Sequence, residues 1–267
     1  MKNGSQSVLR MMLAVGISCL LVSSVQATLL FSEGFNYDSG LGISSVGSWS
    51  AGANSDALQI GTVNLTYPGL LDLGGNSLII SNGVVATSSV APFANQNSGK
   101  VYYSLLFNSA GLNVGNNYFT ALNPGTTAPN GSSDKIDMYY YTNGKIYLRA
   151  NPQSATATTP VLNLNQTYLL VEMIDLDAKT ASLWINPTPG GSEPTPDATL
   201  ASLSATDIAN VGFKAQSTTG SPTYIVDNLL VGTTWGDVTP AIPEPSTIAL
   251  AAAGLGLMMT VIRRRRS

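Results

Sequence analysis

Short apolar runs with interspersed polar positions recur along most of the chain, and turn-forming residues separate them. Between residues 28 and 240, no long segment repeats its apolar positions with the 3.6-residue period of a helix. Many short runs rich in β-branched and aromatic residues are typical of a β-sandwich or barrel. Examples are ALQIGTVNLTY, KVYYSLLFN, KIDMYYYT, TYLLVEMIDLD and TYIVDNLLVG. The pattern predicts an all-β body, either a β-sandwich or a barrel.

Two hairpins are predicted from turn residues between such runs. In DMYYYTNGKIYLRA, Asn143-Gly144 favours a two-residue type I′ turn, in which both central residues have positive φ. In VEMIDLDAKTASLWI, a turn is expected near Asp177-Ala178-Lys179.

The N-terminal segment has a different character. Lys2 and Arg10 are its only charges before an uncharged run over residues 11–22, and Val25-Gln26-Ala27 follows with small residues at its first and third positions. This order predicts a secretory signal peptide over residues 1–27 that signal peptidase cleaves after Ala27. A buried first helix or an uncleaved anchor is the alternative.

The C-terminal segment combines a Pro-Glu-Pro triplet, an apolar run and a basic cluster. These are Pro243, Glu244 and Pro245, the 17 uncharged residues Ser246–Ile262, and Arg263, Arg264, Arg265 and Arg266. As a helix, 17 residues span about 25 Å, while the hydrocarbon core of a bilayer is about 30 Å thick. A transmembrane helix therefore requires snorkelling arginines and local thinning of the bilayer. The arginines favour the cytoplasmic side, which places the body outside.

Residues 241–267 resemble the PEP-CTERM sorting signal of Gram-negative bacteria. The resemblance implies recognition by an exosortase, a membrane transpeptidase-like enzyme, with loss of the helix near Pro-Glu-Pro. It also implies cells that secrete exopolysaccharide. The expected route is export, an inner-membrane intermediate and then the cell surface or extracellular matrix. A plain membrane anchor is the alternative.

The body over residues 28–240 carries a second resemblance. TYLLVEMIDLDAKTASLWINP, a Pro-rich loop and YIVDNLLVGTTWGDVTP resemble the C-terminal half of a laminin-G-like, concanavalin-like jelly roll. FSEGFNYDSG resembles the first strand of that domain. The resemblance implies two packed antiparallel sheets with a concave face.

Composition excludes several kinds of chemistry. The chain has no histidine, and its single cysteine, Cys19, lies within the predicted signal peptide. Cys/His zinc sites, nucleophile–histidine pairs and disulfides are therefore excluded from the mature body. Six basic and fourteen acidic side chains give residues 28–240 a net charge of −8. Nucleic acid is not an expected partner, because its binding needs clustered basic side chains.

Paired carboxylates are the main enzymatic candidate, because the concanavalin-like fold includes retaining glucanases. Retaining hydrolysis needs two carboxyl groups about 5–5.5 Å apart. On one strand, Glu172 and Asp175 point to opposite faces unless a bulge intervenes, and Asp175 and Asp177 are suited to a turn. We therefore expect that this protein is not an enzyme. A polysaccharide hydrolase or lyase is the alternative, and it would need two carboxylates, or a tyrosine with a cation, in a cleft.

Glycan binding is the favoured role for the body, because sugars bind on aromatic platforms. Trp49, Trp184 and Trp235 are the candidate contacts, and core packing is the alternative for each. No cofactor is expected. A structural calcium ion stays open, with Asp175, Asp177 and Asp227-Asn228 as oxygen donors. The sequence thus predicts an exported, non-enzymatic protein associated with extracellular polysaccharide.

Overall fold

The computed structural model describes most of the predicted body. The described residues are 28–53, 57–83, 87–115, 117–129, 134–150, 154, 156, 159–217 and 219–243. The predicted signal peptide, Glu244, Pro245 and the four C-terminal arginines lie outside them. Fourteen strands in the described residues form two antiparallel sheets, which confirms the predicted all-β class.

One sheet has eight strands, in the order β12-β11-β10-β6-β14-β4-β3, with β1 also paired to β14. These strands are β1 (Leu29–Glu33), β3 (Leu58–Ile60), β4 (Leu78–Ile80), β6 (Lys100–Ser109), β10 (Tyr168–Asp175), β11 (Thr180–Ile185), β12 (Ala198–Ala201) and β14 (Tyr224–Gly232).

The second sheet has six strands in the order β2-β5-β13-β7-β8-β9. They are β2 (Ser50–Ala53), β5 (Thr87–Gln96), β7 (Asn117–Asn123), β8 (Ile136–Tyr140), β9 (Ile146–Ala150) and β13 (Ile208–Ala215). A four-residue helix, α1 (Trp235–Val238), follows β14. No helix among the described residues is long and apolar enough to cross a membrane.

A bulge in β14 lets two strands, β4 and β1, pair with the edge of β14 that is opposite β6. The pairing of β14 with β6 shifts between Asp227 and Leu230, and Asn228 has a φ of 51°. Before the bulge β14 pairs with β4, and after it β14 pairs with β1. The left-handed residue bends the strand, as is common in bulges.

The main core lies between the sheets. Phe107, Phe119, Tyr140 and Tyr224 form one cluster of rings within it, with centroids 4.8–5.8 Å apart. These rings come from both sheets, so their burial joins the two layers. At ~25 cal/mol per Å² of buried apolar surface, such rings dominate the stability of the sandwich.

A second apolar cluster covers the outer face of the eight-stranded sheet. Val171 and Met173 point into this cluster, whereas Leu170 and Ile174 of the same strand point into the main core. The cover comes from residues outside the strands, namely Leu65, Leu70, Trp235 and Val238. Strand β10 is therefore buried on both faces, because the second cluster shields the outer face of the sheet from solvent around this strand.

Of the two predicted hairpin turns, one is confirmed and the other is wrong. The Asp175–Thr180 turn is confirmed: Asp175 Oδ1 accepts the backbone N–H groups of Asp177 and Ala178, at 3.0 and 2.8 Å. The type I′ turn is wrong, because only Gly144 of the Asn143-Gly144 pair has positive φ, at 73°. The Tyr141 N–H donates to the Lys145 carbonyl and the Gly144 N–H to the Tyr141 carbonyl, so this loop is one residue longer than predicted.

Glu172 is buried in the main core with Leu170 and Ile174 on the same face of β10. Neither carboxyl oxygen makes a hydrogen bond of ordinary geometry with a described residue. Burial raises the pKa of Glu172 well above the ordinary value, the nearby Tyr103 hydroxyl lowers it, and Asp137 raises it further. Burial likewise raises the pKa of Asp227 to about 7, although the Leu65 and Asn228 N–H groups lower it.

We predict that the body is more stable at pH 5 than at pH 8. The folded state keeps a proton on Glu172 at pH values where the unfolded chain has released it. This contribution is fully present below the unfolded pKa and is lost as pH rises through the folded pKa. Thermal melting should show a Tm several degrees higher at pH 5, since about 1 kcal/mol moves Tm by ~2–4 °C in a domain of this size.

Glu172→Gln should flatten this pH dependence and raise Tm at pH 8, because it removes the ionisable group and keeps its shape. Asp38→Asn is the matched control, since Asp38 is exposed, and should retain the parental pH profile. If Tm depended on pH as steeply in Glu172→Gln as in the parent, the assignment of this pH dependence to Glu172 would be contradicted.

Candidate functional site

The outer face of the six-stranded sheet carries a group of aromatic and charged side chains that lie outside both apolar clusters. Along β8, Ile136, Met138 and Tyr140 point inward, so Asp137 and Tyr139 point outward. The same alternation places further side chains beside them. We define the tyrosine–cation face as Tyr118, Tyr139, Tyr141, Tyr147, Arg149 and Lys214.

The four tyrosines form a continuous row. The ring centroids of Tyr118 and Tyr139 are 5.4 Å apart, and those of Tyr139 and Tyr141 are 5.8 Å apart. Tyr141 stacks on Tyr147 at 3.7 Å with an interplanar angle of 17°. Tyr118 is 7% exposed, whereas the other three rings are half-buried. The row therefore presents an aromatic strip of Tyr139, Tyr141 and Tyr147 to solvent, and the buried Tyr118 ends the row on β7.

Arg149 is held over this strip by Asp137. The Arg149 Nε atom donates to Asp137 Oδ1 at 3.0 Å, and Nη2 forms a close ion pair with Oδ2. The guanidinium carbon lies 5.1 Å from the Tyr139 ring centroid and 5.9 Å from that of Tyr118. The Arg149 side chain is 21% exposed and that of Asp137 is 1% exposed. The cation is thus on the solvent side of the pair.

Lys214 meets Tyr118 on the neighbouring strand. Its Nζ atom lies 4.7 Å from the ring centroid and contacts the Tyr118 hydroxyl directly. Burial lowers the pKa of Lys214, and nearby Asp134 partly offsets this. Burial also raises the pKa of Tyr118 and Tyr139 far above that of an ordinary phenol, so both hydroxyls are protonated at neutral pH.

The pKa of the Asp137 carboxyl group beneath the face is strongly perturbed. Burial raises its pKa to about 7, the hydrogen bonds and charge of Arg149 lower it, and Asp134 raises it. The acidic partners of the face are therefore buried beneath it, while the cations lie nearer the solvent. An approaching ligand meets the positive groups first.

A loop borders the face on the β13 side. Asn210 Nδ2 donates to the carbonyls of Pro124 and Gly125, at 3.3 and 2.8 Å. A Cβ atom at Gly212 would lie 2.5 Å from Pro129, so glycine is required for the loop to rest on the strand. This contact gives the strip a raised edge.

The three tryptophans lie in the interior. Trp49 is in the main core, where its Nε1 donates to Glu33 Oε2 at 3.0 Å. Trp184 and Trp235 pack in the second cluster at 5.0 Å, and their indole N–H groups donate to the carbonyls of Pro194 and Gly191. Their predicted glycan contact stays a prediction, and the exposed aromatic strip lies elsewhere.

The proposed carboxylate and calcium donors do not converge. Asp175 pairs with Lys100 at the start of β6, whereas Asp227 pairs with Leu106 six residues further along. The Asp227 carboxylate already accepts the N–H groups of Leu65 and Asn228, at 2.8 and 2.6 Å. Within the described ranges, no three Cys, Asp or Glu side chains cluster as a metal site.

Comparison with known proteins gives one sequence match. The PEP-CTERM protein-sorting motif matches residues 241–266. No curated protein matches the chain. The motif indicates export, a membrane-anchored sorting intermediate and processing by an exosortase.

Solved structures share the β-sandwich at low sequence identity. A sialidase superposes with a TM-score of 0.51 and 11% identity, covering 87% of this chain and 21% of its own. A Trypanosoma rangeli sialidase gives 0.42 and 13%, covering 70% and 30%. An alginate lyase bound to an alginate tetrasaccharide gives 0.46 and 12%, covering 80% and 98%. The chain spans about a fifth of the first sialidase, and the likeness concerns the fold alone.

We predict that Arg149→Ala destabilises the body at pH 8 by about 3 kcal/mol, because it leaves the buried Asp137 carboxylate without its partner. The loss should shrink at pH 5, where Asp137 is protonated. Chemical denaturation at the two pH values measures both effects. The double variant Asp137→Asn/Arg149→Ala should recover much of the loss at pH 8; no recovery would show that the pair does not act as described.

Proposed function

We propose that this protein is an exported, exosortase-sorted surface protein whose tyrosine–cation face binds an acidic polysaccharide without cleaving it. The single observation that carries the proposal is the strip of Tyr139, Tyr141 and Tyr147 beside Arg149. Flat aromatic rings suit the apolar faces of sugar rings, and a guanidinium suits a carboxylate or sulfate group.

Charge placement favours an acidic glycan over a neutral one. The body has a net charge of −8, so a polyanion is repelled by most of its surface. At the tyrosine–cation face, Arg149 and Lys214 lie above buried acids, and burial favours the neutral form of Asp137. This face is therefore the part of the body best suited to approach by a polyanion.

We further propose that the sandwich is a laminin-G-like, concanavalin-like jelly roll and that residues 1–27 are a cleaved signal peptide. Sorting through the Pro243–Pro245 triplet would then deliver a glycan-binding module to cells that surround themselves with exopolysaccharide. Such a module would fix itself in the matrix through many weak contacts along one polymer.

We predict that the body binds polygalacturonate and hyaluronan and does not bind dextran. Tyr139→Ala and Lys214→Ala should each raise Kd about tenfold, which corresponds to ~1.4 kcal/mol. Binding should also weaken with added salt, because ion pairs at a partly exposed surface are screened. Affinity electrophoresis with each polymer measures the effect.

The matched controls lie on the side of the eight-stranded sheet, Lys100 in β6 and Tyr67 in the segment that packs against the second cluster. Tyr67→Ala and Lys100→Ala make the same chemical changes at residues away from the face, and they should leave Kd unchanged. Equal loss in control and test variants, or equal binding of dextran, would contradict the proposal. Thermal melting of each variant separates loss of binding from loss of fold.

A lyase is the second candidate, because the phenol of Tyr118 and the amine of the half-buried Lys214 are in contact. In such a reaction the unprotonated form of the Lys214 amine, which burial favours by lowering its pKa, would take the proton next to the carboxylate of a uronate. The protonated Tyr118 would donate its proton to the leaving oxygen as the C–O bond breaks and a C=C bond forms. The raised pKa of Tyr118 suits this acid role.

This candidate has a direct test. A lyase would generate an unsaturated uronate, which ultraviolet absorbance detects during incubation with polygalacturonate. We expect no such product from the wild-type protein. Product formation that Tyr118→Phe abolishes would favour the lyase over the binding module.

A further inference from the structure

The chain leaves the sandwich through a paired segment rather than through a free linker. We define residues 239–242 as the tail seam. The Thr239 carbonyl accepts the Gly190 N–H at 2.7 Å, and the Pro240 carbonyl accepts the Leu71 N–H at 2.8 Å. The Ile242 N–H donates to the Gly69 carbonyl at 3.0 Å, and Ala241 forms an antiparallel bridge with Leu70. Each residue of the seam is thus paired.

Helix α1 fixes the start of this segment. Trp235 and Val238 are buried in the second cluster, and the Val238 carbonyl accepts the Ser104 hydroxyl at 2.6 Å. Thr239 Oγ1 donates to the Trp235 carbonyl at 2.9 Å. The seam therefore starts from a rigid point, so its pairing follows from folding of the whole sheet.

The sorting motif begins inside the seam. The PEP-CTERM match starts at residue 241, and Pro243 directly follows the hydrogen-bonded Ile242. The Ile242 side chain is 55% exposed although its backbone N–H is paired. The first residues of the signal are accordingly held on the folded body.

We infer that the tail seam competes with the exosortase for the start of the sorting motif, so that folding of the sandwich slows processing. An enzyme that acts on a peptide bond near Pro243 must bind extended backbone on both sides of that bond. The backbone groups of Pro240 and Ile242 cannot serve the enzyme while they pair with the sandwich. The inference rests on the sorting motif and is independent of glycan binding.

Gly190 offers a substitution that opens the seam by steric contact. It has a φ of 69°, and a Cβ atom there would lie 2.6 Å from Ala241 Cβ. Gly99 is a matched control, because its φ is 72° and a Cβ atom there would meet nothing within 4 Å. Both alanine variants carry the same backbone strain, but only Gly190→Ala pushes the seam away. Ala241→Gly removes the opposing methyl group and should rescue Gly190→Ala.

The experiment follows tail loss from the full chain in cells that contain an exosortase, by pulse labelling and mass spectrometry of the C-terminus. Gly190→Ala should be processed about fivefold faster than wild type, the change expected when the net contribution of one hydrogen bond is lost. Gly99→Ala and the double variant Gly190→Ala/Ala241→Gly should match wild type. Equal or slower processing of Gly190→Ala would overturn the inference.

An insertion keeps the test valid if Gly190→Ala does not fold. A flexible Gly-Ser linker between Ile242 and Pro243 leaves the seam intact and moves the rest of the motif away from the body. It should also speed processing, and an unchanged rate would overturn the inference. No processing of any variant, wild type included, would overturn the sorting assignment and this inference together, while leaving the glycan-binding face untouched.

Discussion

Burial of the eight-stranded sheet on both faces is the constraint on which the rest of the structure depends. Strand β10 alternates residues between the main core and the second cluster, and α1 with residues 65 and 70 completes the outer cover. Because this cover uses the outer face of one sheet, it leaves the outer face of the other as the available surface. The same cover supplies the partners of the tail seam, so it also determines where the chain leaves the body.

The six-stranded sheet uses its free face differently. Its outward residues include tyrosines, a lysine and an arginine, which lie above the buried Asp137. Arg149 is fixed by a buried carboxylate and by two rings, so little conformational entropy remains to be lost on binding. A preorganised cation on an aromatic strip is the chemical basis of the proposed binding to a polymer of acidic sugars.

The sequence was informative about the fold because strand alternation is local. Short apolar runs and turn residues predicted the all-β class and the Asp175–Thr180 hairpin, which depend on neighbours in the chain. The two-sheet arrangement was an expectation from the resemblance to a jelly roll. The type I′ turn predicted at Asn143-Gly144 was wrong, because an adjacent residue also belongs to the loop and changes the turn type. The Asn-Gly pair alone does not specify the length of the loop.

The candidate face could not be predicted in the same way. Tyr118, Arg149 and Lys214 come from β7, β9 and β13. In the sheet β13 is adjacent to β7, and only β8 separates β7 from β9, whereas β13 is distant from both in the chain. The sequence pointed to the tryptophans as glycan contacts, but their large apolar side chains pack inside the two apolar clusters. The run of three tyrosines at residues 139–141 was the one local signal, because alternation in β8 leaves its first and third members on the outer face.

Hydroxyl-radical footprinting of the body with and without polygalacturonate tests whether the tyrosine–cation face binds the polymer. We expect the polymer to protect Tyr139, Tyr141 and Tyr147 from oxidation and to leave the half-buried Tyr37 and Tyr67 unprotected. Protection of Tyr37 and Tyr67 with unchanged oxidation of the other three would contradict it.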